Sequence, residues 1–211
     1  MRLRDRIKRT NFGSFGAFVT AFLCVINIVS GIVVAITSKI NGAEMSSYLM
    51  TIISYFINAV FYLSVCGTFI RGKSNFGQCY QAILILCVCD FILPLIFGSF
   101  SGGILVFFQI PSTLFGILYF TFLLVDFYKG RGKTIYSTLL IVFGALIAAG
   151  ALVSLIGEIY VFIFDIGSAE LSATTYINYI CVIVISVFGF LETALYLLYP
   201  IYLKRMRNKG Y

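Results

Sequence analysis

Two carboxylic acids interrupt long apolar stretches of this 211-residue chain. Asp90 lies in the segment CVCDFILPLIF, and Glu192 lies in VFGFLETALY. On membrane-insertion scales, a charged side chain at the centre of a bilayer costs about 2.5–3.5 kcal/mol. Because no Lys or Arg stands in either stretch, we expect each acid to be protonated or to face a bound cation. Both states are typical of sites through which membrane proteins move protons, ions or solutes.

A third polar side chain, Asn58, shares the depth of these two acids. At about 1.5 Å per helical residue, Asp90 lies roughly 17 Å, Glu192 roughly 18 Å and Asn58 roughly 20 Å from the cytoplasmic ends of their predicted helices. All three therefore fall near the middle of a membrane. The sequence predicts a substrate- or cation-binding site made of Asp90, Glu192 and Asn58. It leaves open whether the three side chains face one cavity.

Pro94 places a second polar group beside the carboxyl of Asp90. Proline has no N–H, so it cannot bond the carbonyl four residues earlier in a helix, and that carbonyl belongs to Asp90. Freed backbone oxygens of this kind line ion and substrate sites in transporters. The alternative is a structural role, in which a neutral Asp90 hydrogen-bonds to Asn58 or to a backbone carbonyl.

Residues for catalysis and for metal binding are scarce in this sequence. The chain has no histidine, so it lacks both a histidine base for a serine or cysteine nucleophile and an HExxH zinc motif. Its six cysteines lie in predicted membrane spans or at their edges, where cysteine usually acts as a small hydrophobe. We therefore expect a protein that is not an enzyme, with no catalytic residues, no metal site and no cofactor.

The composition indicates which elements position these acids. Hydrophobic residues make up 61% of the chain and charged residues 11%, and the mean hydropathy is +1.04. An ordinary soluble domain is about 25% charged, so this chain is predicted to be an all-α integral membrane protein. Because a helix needs roughly 20 apolar residues to cross a bilayer, the sequence predicts one transmembrane domain over residues 1–211. Its six spans are about 12–37, 48–70, 79–98, 104–127, 135–164 and 174–203.

Similar connectors between these spans suggest an internal repeat. The segment KRTNFGS at 8–14 resembles GKSNFGQ at 72–78, and RGKS at 71–74 resembles RGKT at 131–134. Each odd-numbered helix follows such a segment. The spacing favours three tandem helical hairpins. Convergent use of Gly, Lys, Ser and Asn in membrane turns is the alternative explanation.

The basic residues predict the orientation of the chain. Of the 15 Lys and Arg, only Lys39 falls on the side opposite the termini. By the positive-inside rule, both termini are cytoplasmic and the protein is a multi-pass protein of the cell membrane. The chain has a net charge of +7, and we expect its basic residues to contact the anionic lipid head groups of the bilayer. We expect no nucleic acid as a partner.

Small residues indicate where helices could approach closely. Gly13, Ala17 and Ala21 recur every four residues in the first span, and Gly144 and Ala148 do so in the fifth. We expect these stripes to be internal packing faces. The pair Ala17 and Ala21 also resembles the AxxxA face that substrate-binding subunits of energy-coupling-factor vitamin importers present to their membrane partner. Chain size and six helices are similar in that family.

Together these patterns favour a small transporter or permease. Its substrate would be a proton, a metal cation or a small, cationic solute bound near the midplane of the membrane. The alternative is a non-catalytic membrane subunit of a larger complex, as the resemblance to vitamin importers implies. Acids gathered on one cavity would favour the transporter, and acids that face different ways would favour the subunit.

Overall fold

The computed structural model describes residues 12–42, 45–71, 78–97, 106–129, 134–168 and 173–208. These ranges are helical apart from the turn at 41–42 and residue 208. The first helix ends at a turn in which Gly42 has a φ of 67°, a left-handed conformation that costs glycine little. The helices are α1 (Phe12–Ile40), α2 (Met45–Arg71), α3 (Gln78–Phe97), α4 (Val106–Lys129), α5 (Thr134–Ser168) and α6 (Ala173–Arg207).

The structure confirms an all-helical chain, within the described residues, with six helices long and apolar enough to cross a membrane. Each predicted span overlaps one helix closely, and predicted residues 98 and 104–105 lie outside the described ranges. Large apolar side chains such as Phe18, Ile70 and Phe107 are 69–76% exposed on the outer surface. Such a surface requires an apolar surrounding, as expected of a multi-pass membrane protein.

The helices pack side by side in chain order, and α6 returns to contact α1. Phe12 at the start of α1 stacks on Tyr202 near the end of α6, with 6.2 Å between ring centroids. The guanidinium carbon of Arg205 lies 5.6 Å from the Phe12 ring centroid. The first and last helices therefore meet at one end of the bundle, which we call the terminal end. The opposite end, where α1 finishes at Ile40, is the loop end.

Gly16 of α1 packs directly against α2. A Cβ atom added there would collide with the ring of Phe69, so a larger residue would force that ring to move. The predicted packing stripe is correct only in part, because Gly13 and Ala17 are half-buried while Ala21 is exposed. The prediction is wrong at Ala21 because the buried face of α1 runs through Gly16 and continues at positions 20, 23, 24, 26, 27 and 30.

The second predicted packing position, Gly144 of α5, is buried against α6. A Cβ atom at Gly144 would lie 2.7 Å from the carbonyl oxygen of Tyr196, so the two backbones are in contact. The three-hairpin repeat and the cytoplasmic position of the termini stay predictions. The connectors that carry both of them, including 8–11, 72–77 and 130–133, lie outside the described residues.

Candidate functional site

A cavity of about 500 Å³ opens into the half of the bundle nearer the loop end. Its walls come from α1, α2, α3 and α6, and it runs from the middle of the bundle to the last residue of α3. We call it the acidic cavity, because two of its wall residues are carboxylic acids. The lining residues are Asn27, Met50, Thr51, Ser54, Tyr55, Asn58, Asp90, Leu93, Pro94, Phe97 and Glu192.

Asp90 reaches the cavity from α3. It shares one face of that helix with Leu93, Pro94 and Phe97, which follow it at the i+3, i+4 and i+7 spacing of neighbouring side chains. Its side chain is 7% exposed, and the Ser54 hydroxyl of α2 donates a hydrogen bond of 2.9 Å to its Oδ2 atom. The backbone carbonyl of Asp90 receives no helical hydrogen bond from Pro94.

Glu192 reaches the same cavity from α6. The Asn27 side-chain amide of α1 donates a hydrogen bond of 2.9 Å to its Oε1 atom. Asn27 is 1% exposed, and its own Oδ1 atom has no hydrogen-bond partner among the described residues. The Tyr62 hydroxyl lies between Glu192 and Tyr196 and interacts with both, although neither contact has full hydrogen-bond geometry.

The structure brings Asp90, Glu192 and Asn58 together, since all three line the acidic cavity. Their role in binding stays a prediction. Each acid has its own donor: within the described residues, Asp90 accepts its hydrogen bond from Ser54, whereas the structural alternative named Asn58 or a backbone carbonyl as the partner. The two carboxyls therefore share a space without bonding to each other.

Sequence reasoning missed Asn27, Ser54 and Tyr55. Asn27 stands near the middle of α1, so a search for uncharged polar residues at the depth of Asp90 would have found it. Ser54 lies one helical turn before Asn58, on the same face of α2. Tyr55 gave no distinctive signal, because the chain contains 14 tyrosines and many suit a membrane interface.

The wall of the cavity carries acidic and amide groups. Two carboxylic acids and two asparagine amides line it, and no Lys or Arg belongs to the described residues of its wall. A buried carboxylate without a basic partner is strongly disfavoured unless a proton or a cation balances it. Within the described ranges, no three His, Cys, Asp or Glu side chains lie close enough together to hold a metal ion.

Below the cavity, toward the terminal end, the centre of the bundle is filled with aromatic rings. Four of the largest fully buried side chains are tyrosines, and a fifth tyrosine is 6% exposed. We call this group the tyrosine column. Burying a hydroxyl without a partner costs about 1–3 kcal/mol by protein mutational data, so a buried tyrosine is less favourable than a phenylalanine unless its hydroxyl has a partner. The column consists of Tyr62, Tyr80, Tyr119, Tyr196 and Tyr199.

No protein-family model matches the chain, and neither a curated protein nor a solved structure shows significant similarity to it. The function of the chain is therefore inferred from the geometry of the acidic cavity and of the residues beneath it.

Proposed function

We propose that this chain is a membrane transporter that binds a small organic cation in the acidic cavity. The observation that supports this most strongly is that Asp90 and Glu192, from two different helices, line the same open space. A monovalent cation in that space would offset one carboxylate, with the second acid protonated, without any basic residue of the protein.

The size and walls of the cavity support an organic solute. About 500 Å³ is far more than one dehydrated metal ion fills, and it lies within the range of roughly 300–1,000 Å³ that is typical of small-molecule sites. Tyr55 offers an aromatic face, which attracts cations, and Met50, Leu93 and Phe97 offer apolar contacts toward the loop end. The Oδ1 atom of Asn27, which has no hydrogen-bond partner among the described residues, can accept a hydrogen bond from an ammonium N–H.

The geometry gives less support to the non-catalytic subunit. That alternative expects the acids to face different ways around an apolar centre. Here they share one cavity, and each is held in place by a donor from a neighbouring helix. Such support is what a binding site needs to keep its polar groups in position.

The test compares two cavity variants with one matched control. Asp90→Asn and Glu192→Gln remove a negative charge but keep an oxygen that accepts the bond from Ser54 or Asn27. Glu158→Gln makes the same change on α5, at a residue that does not line the cavity. Uptake of radiolabelled tetramethylammonium into vesicles containing the purified protein is the measurement.

We expect each cavity variant to raise the tetramethylammonium concentration for half-maximal uptake by about 30-fold or more, equal to about 2 kcal/mol, because a buried charge pair is lost. The control should match the wild type, and all proteins should melt at similar temperatures in detergent. Equal uptake by the wild type and Asp90→Asn, with both proteins folded, would refute the proposed function.

A further inference from the structure

The tyrosine column begins where the acidic cavity ends. Glu192 lines the cavity, and Tyr196 and Tyr199 follow it on α6 at i+4 and i+7, on the same helical face. At 1.5 Å per residue, the column descends about 10 Å along α6 from Glu192 toward the terminal end. Tyr62 of α2 connects the two regions, because its hydroxyl interacts with both Glu192 and Tyr196.

The next members of the column are in contact with these. The rings of Tyr196 and Tyr119 meet edge to face, with centroids 5.0 Å apart. The Tyr119 hydroxyl is buried without a hydrogen-bond partner among the described residues, and it interacts electrostatically with Tyr196 and Tyr199. A water that bridges this hydroxyl to Tyr196 or Tyr199 would supply the missing hydrogen-bond partner.

The column ends at a third acid. The hydroxyl oxygens of Tyr80 and Tyr199 are 2.8 Å apart, and both side chains are almost fully buried. Tyr199 also interacts electrostatically with Asp126, which is 5% exposed and lies three residues before the end of α4. Buried polar groups therefore follow one another from Glu192 to an acid near the terminal end.

Hydroxyl groups, not ring volume alone, distinguish this path. Phenylalanine would fill the same positions without burying an oxygen, and the chain uses 22 phenylalanines elsewhere. The polar neighbours of Glu192 are Asn27 of α1 and Tyr55 and Tyr62 of α2, together with Tyr196 of its own helix. None of these four is a base, and Asp90, the other carboxyl of the cavity, interacts electrostatically with Tyr196 and is a second acid at this end of the column.

We propose that the tyrosine column conducts protons between the acidic cavity and Asp126. This inference rests on the proposed function, and it adds that binding of an organic cation releases a proton toward the terminal end. The proton leaves the Glu192 carboxyl, each hydroxyl or bridging water accepts one proton and gives up its own, and the Asp126 carboxylate takes the last one. Asp126 then passes it to water. No electron is transferred, and no tyrosine keeps a charge.

The experiment follows proton movement and cation movement in the same vesicles. A pH-sensitive dye inside reports protons while labelled tetramethylammonium reports the cation. Tyr199→Phe removes the hydroxyl that bonds Tyr80 but keeps the ring that packs on Phe69. The control, Tyr160→Phe, removes a hydroxyl from a tyrosine that is 69% exposed on α5.

We expect Tyr199→Phe to slow cation-driven proton release by about 100-fold, the scale of a lost proton-transfer group, while tetramethylammonium binding stays unchanged. Tyr160→Phe should behave as the wild type. Tyr80→Phe removes the other hydroxyl of the same hydrogen bond. It serves as the test variant, with the same expected result, if Tyr199→Phe does not fold.

Further outcomes separate this inference from the proposed function. Two results would refute the proton path and leave the transporter intact. One is tetramethylammonium uptake by the wild type without a pH change, and the other is uptake by a folded Tyr199→Phe with the same pH change as the wild type. A voltage-driven proton flux that Tyr199→Phe abolishes, in vesicles that take up no tetramethylammonium, would refute the transporter and leave the path standing.

Discussion

The acidic cavity and the tyrosine column are built from many of the same helices, yet their polar side chains have opposite surroundings. In the cavity, polar groups surround an open space of about 500 Å³. In the column, hydroxyls are enclosed by aromatic rings, and four of the five tyrosines are at most 1% exposed. One half of the bundle is therefore open to a solute and the other half is closed. A solute that enters from the loop end meets a packed floor at Tyr62.

The largest difference should appear when a side chain is truncated in each half. Phe120 is fully buried, and the centroid of its ring lies 5.0 Å from the ring centroid of Phe61 and 5.8 Å from that of Tyr196. Phe120→Ala should lower the free energy of unfolding by about 3–5 kcal/mol, because it leaves a void in a packed core. Leu93→Ala should cost much less, because that side chain already faces the cavity. Denaturation in mixed detergent micelles measures both, and equal losses would contradict the comparison.

Chemical access should separate the two halves nearly as strongly. With the native cysteines replaced by serine, a cysteine at Asn58 faces the cavity, whereas one at Ser64 is buried six residues nearer the terminal end. We expect the first to react with a water-soluble thiol reagent about 100-fold faster, because the second is reached only through local opening. Similar rates would mean that the column is as open as the cavity.

A smaller effect is expected at the hydrogen bond that holds Glu192. Asn27→Ala removes the donor to Glu192 and leaves that acid without its amide partner. The free energy of unfolding should fall by about 1–3 kcal/mol, the usual penalty for an unsatisfied buried group. Asn58→Ala is the matched control, because Asn58 lines the same cavity without such a bond to Glu192. Identical melting temperatures for Asn27→Ala and Asn58→Ala would argue against this support.

The smallest effect is expected at Ser54. Ser54→Ala removes the donor to Asp90, but both residues line the open cavity, where water can replace the lost hydroxyl. We expect a loss of about 0.5–1.5 kcal/mol in the free energy of unfolding, close to that of an ordinary hydrogen bond. A loss larger than that of Asn27→Ala would show that the Asp90 side of the cavity is the drier one.

The position of a residue along its helix could be predicted from the sequence, whereas the rotation of each helix about its own axis could not. Residue counts along apolar runs found the six helices, because the helical rise is fixed, and the three residues that those counts put at similar depths, Asp90, Glu192 and Asn58, line one cavity. Which side each helix turns inward depends on packing between helices. That is why Ala21 was predicted to pack inside but is exposed. It is also why the Ser54 bond to Asp90 was not foreseen.

The tyrosine column was missed for a related reason. Tyrosine in a membrane helix commonly marks the interface with water, so its sequence position alone favours an anchor. Only the packed structure shows Tyr80 and Tyr199, from α3 and α6, with their hydroxyl oxygens 2.8 Å apart inside the bundle. A pair that is 119 positions apart in the chain leaves no local pattern.

The unequal lengths of the helices also affect the bilayer around them. The helix α3 has 20 residues and α6 has 35, so at 1.5 Å per residue they are about 30 Å and about 52 Å long. The shorter length matches a hydrocarbon layer of about 30 Å, while the longer one must tilt or extend into the head groups. Because the cavity wall reaches Phe97, the last residue of α3, a hydrocarbon layer matched to the length of α3 would end at the level of the cavity rim. Membrane thickness should therefore set how easily a molecule dissolved at that boundary moves sideways into the protein.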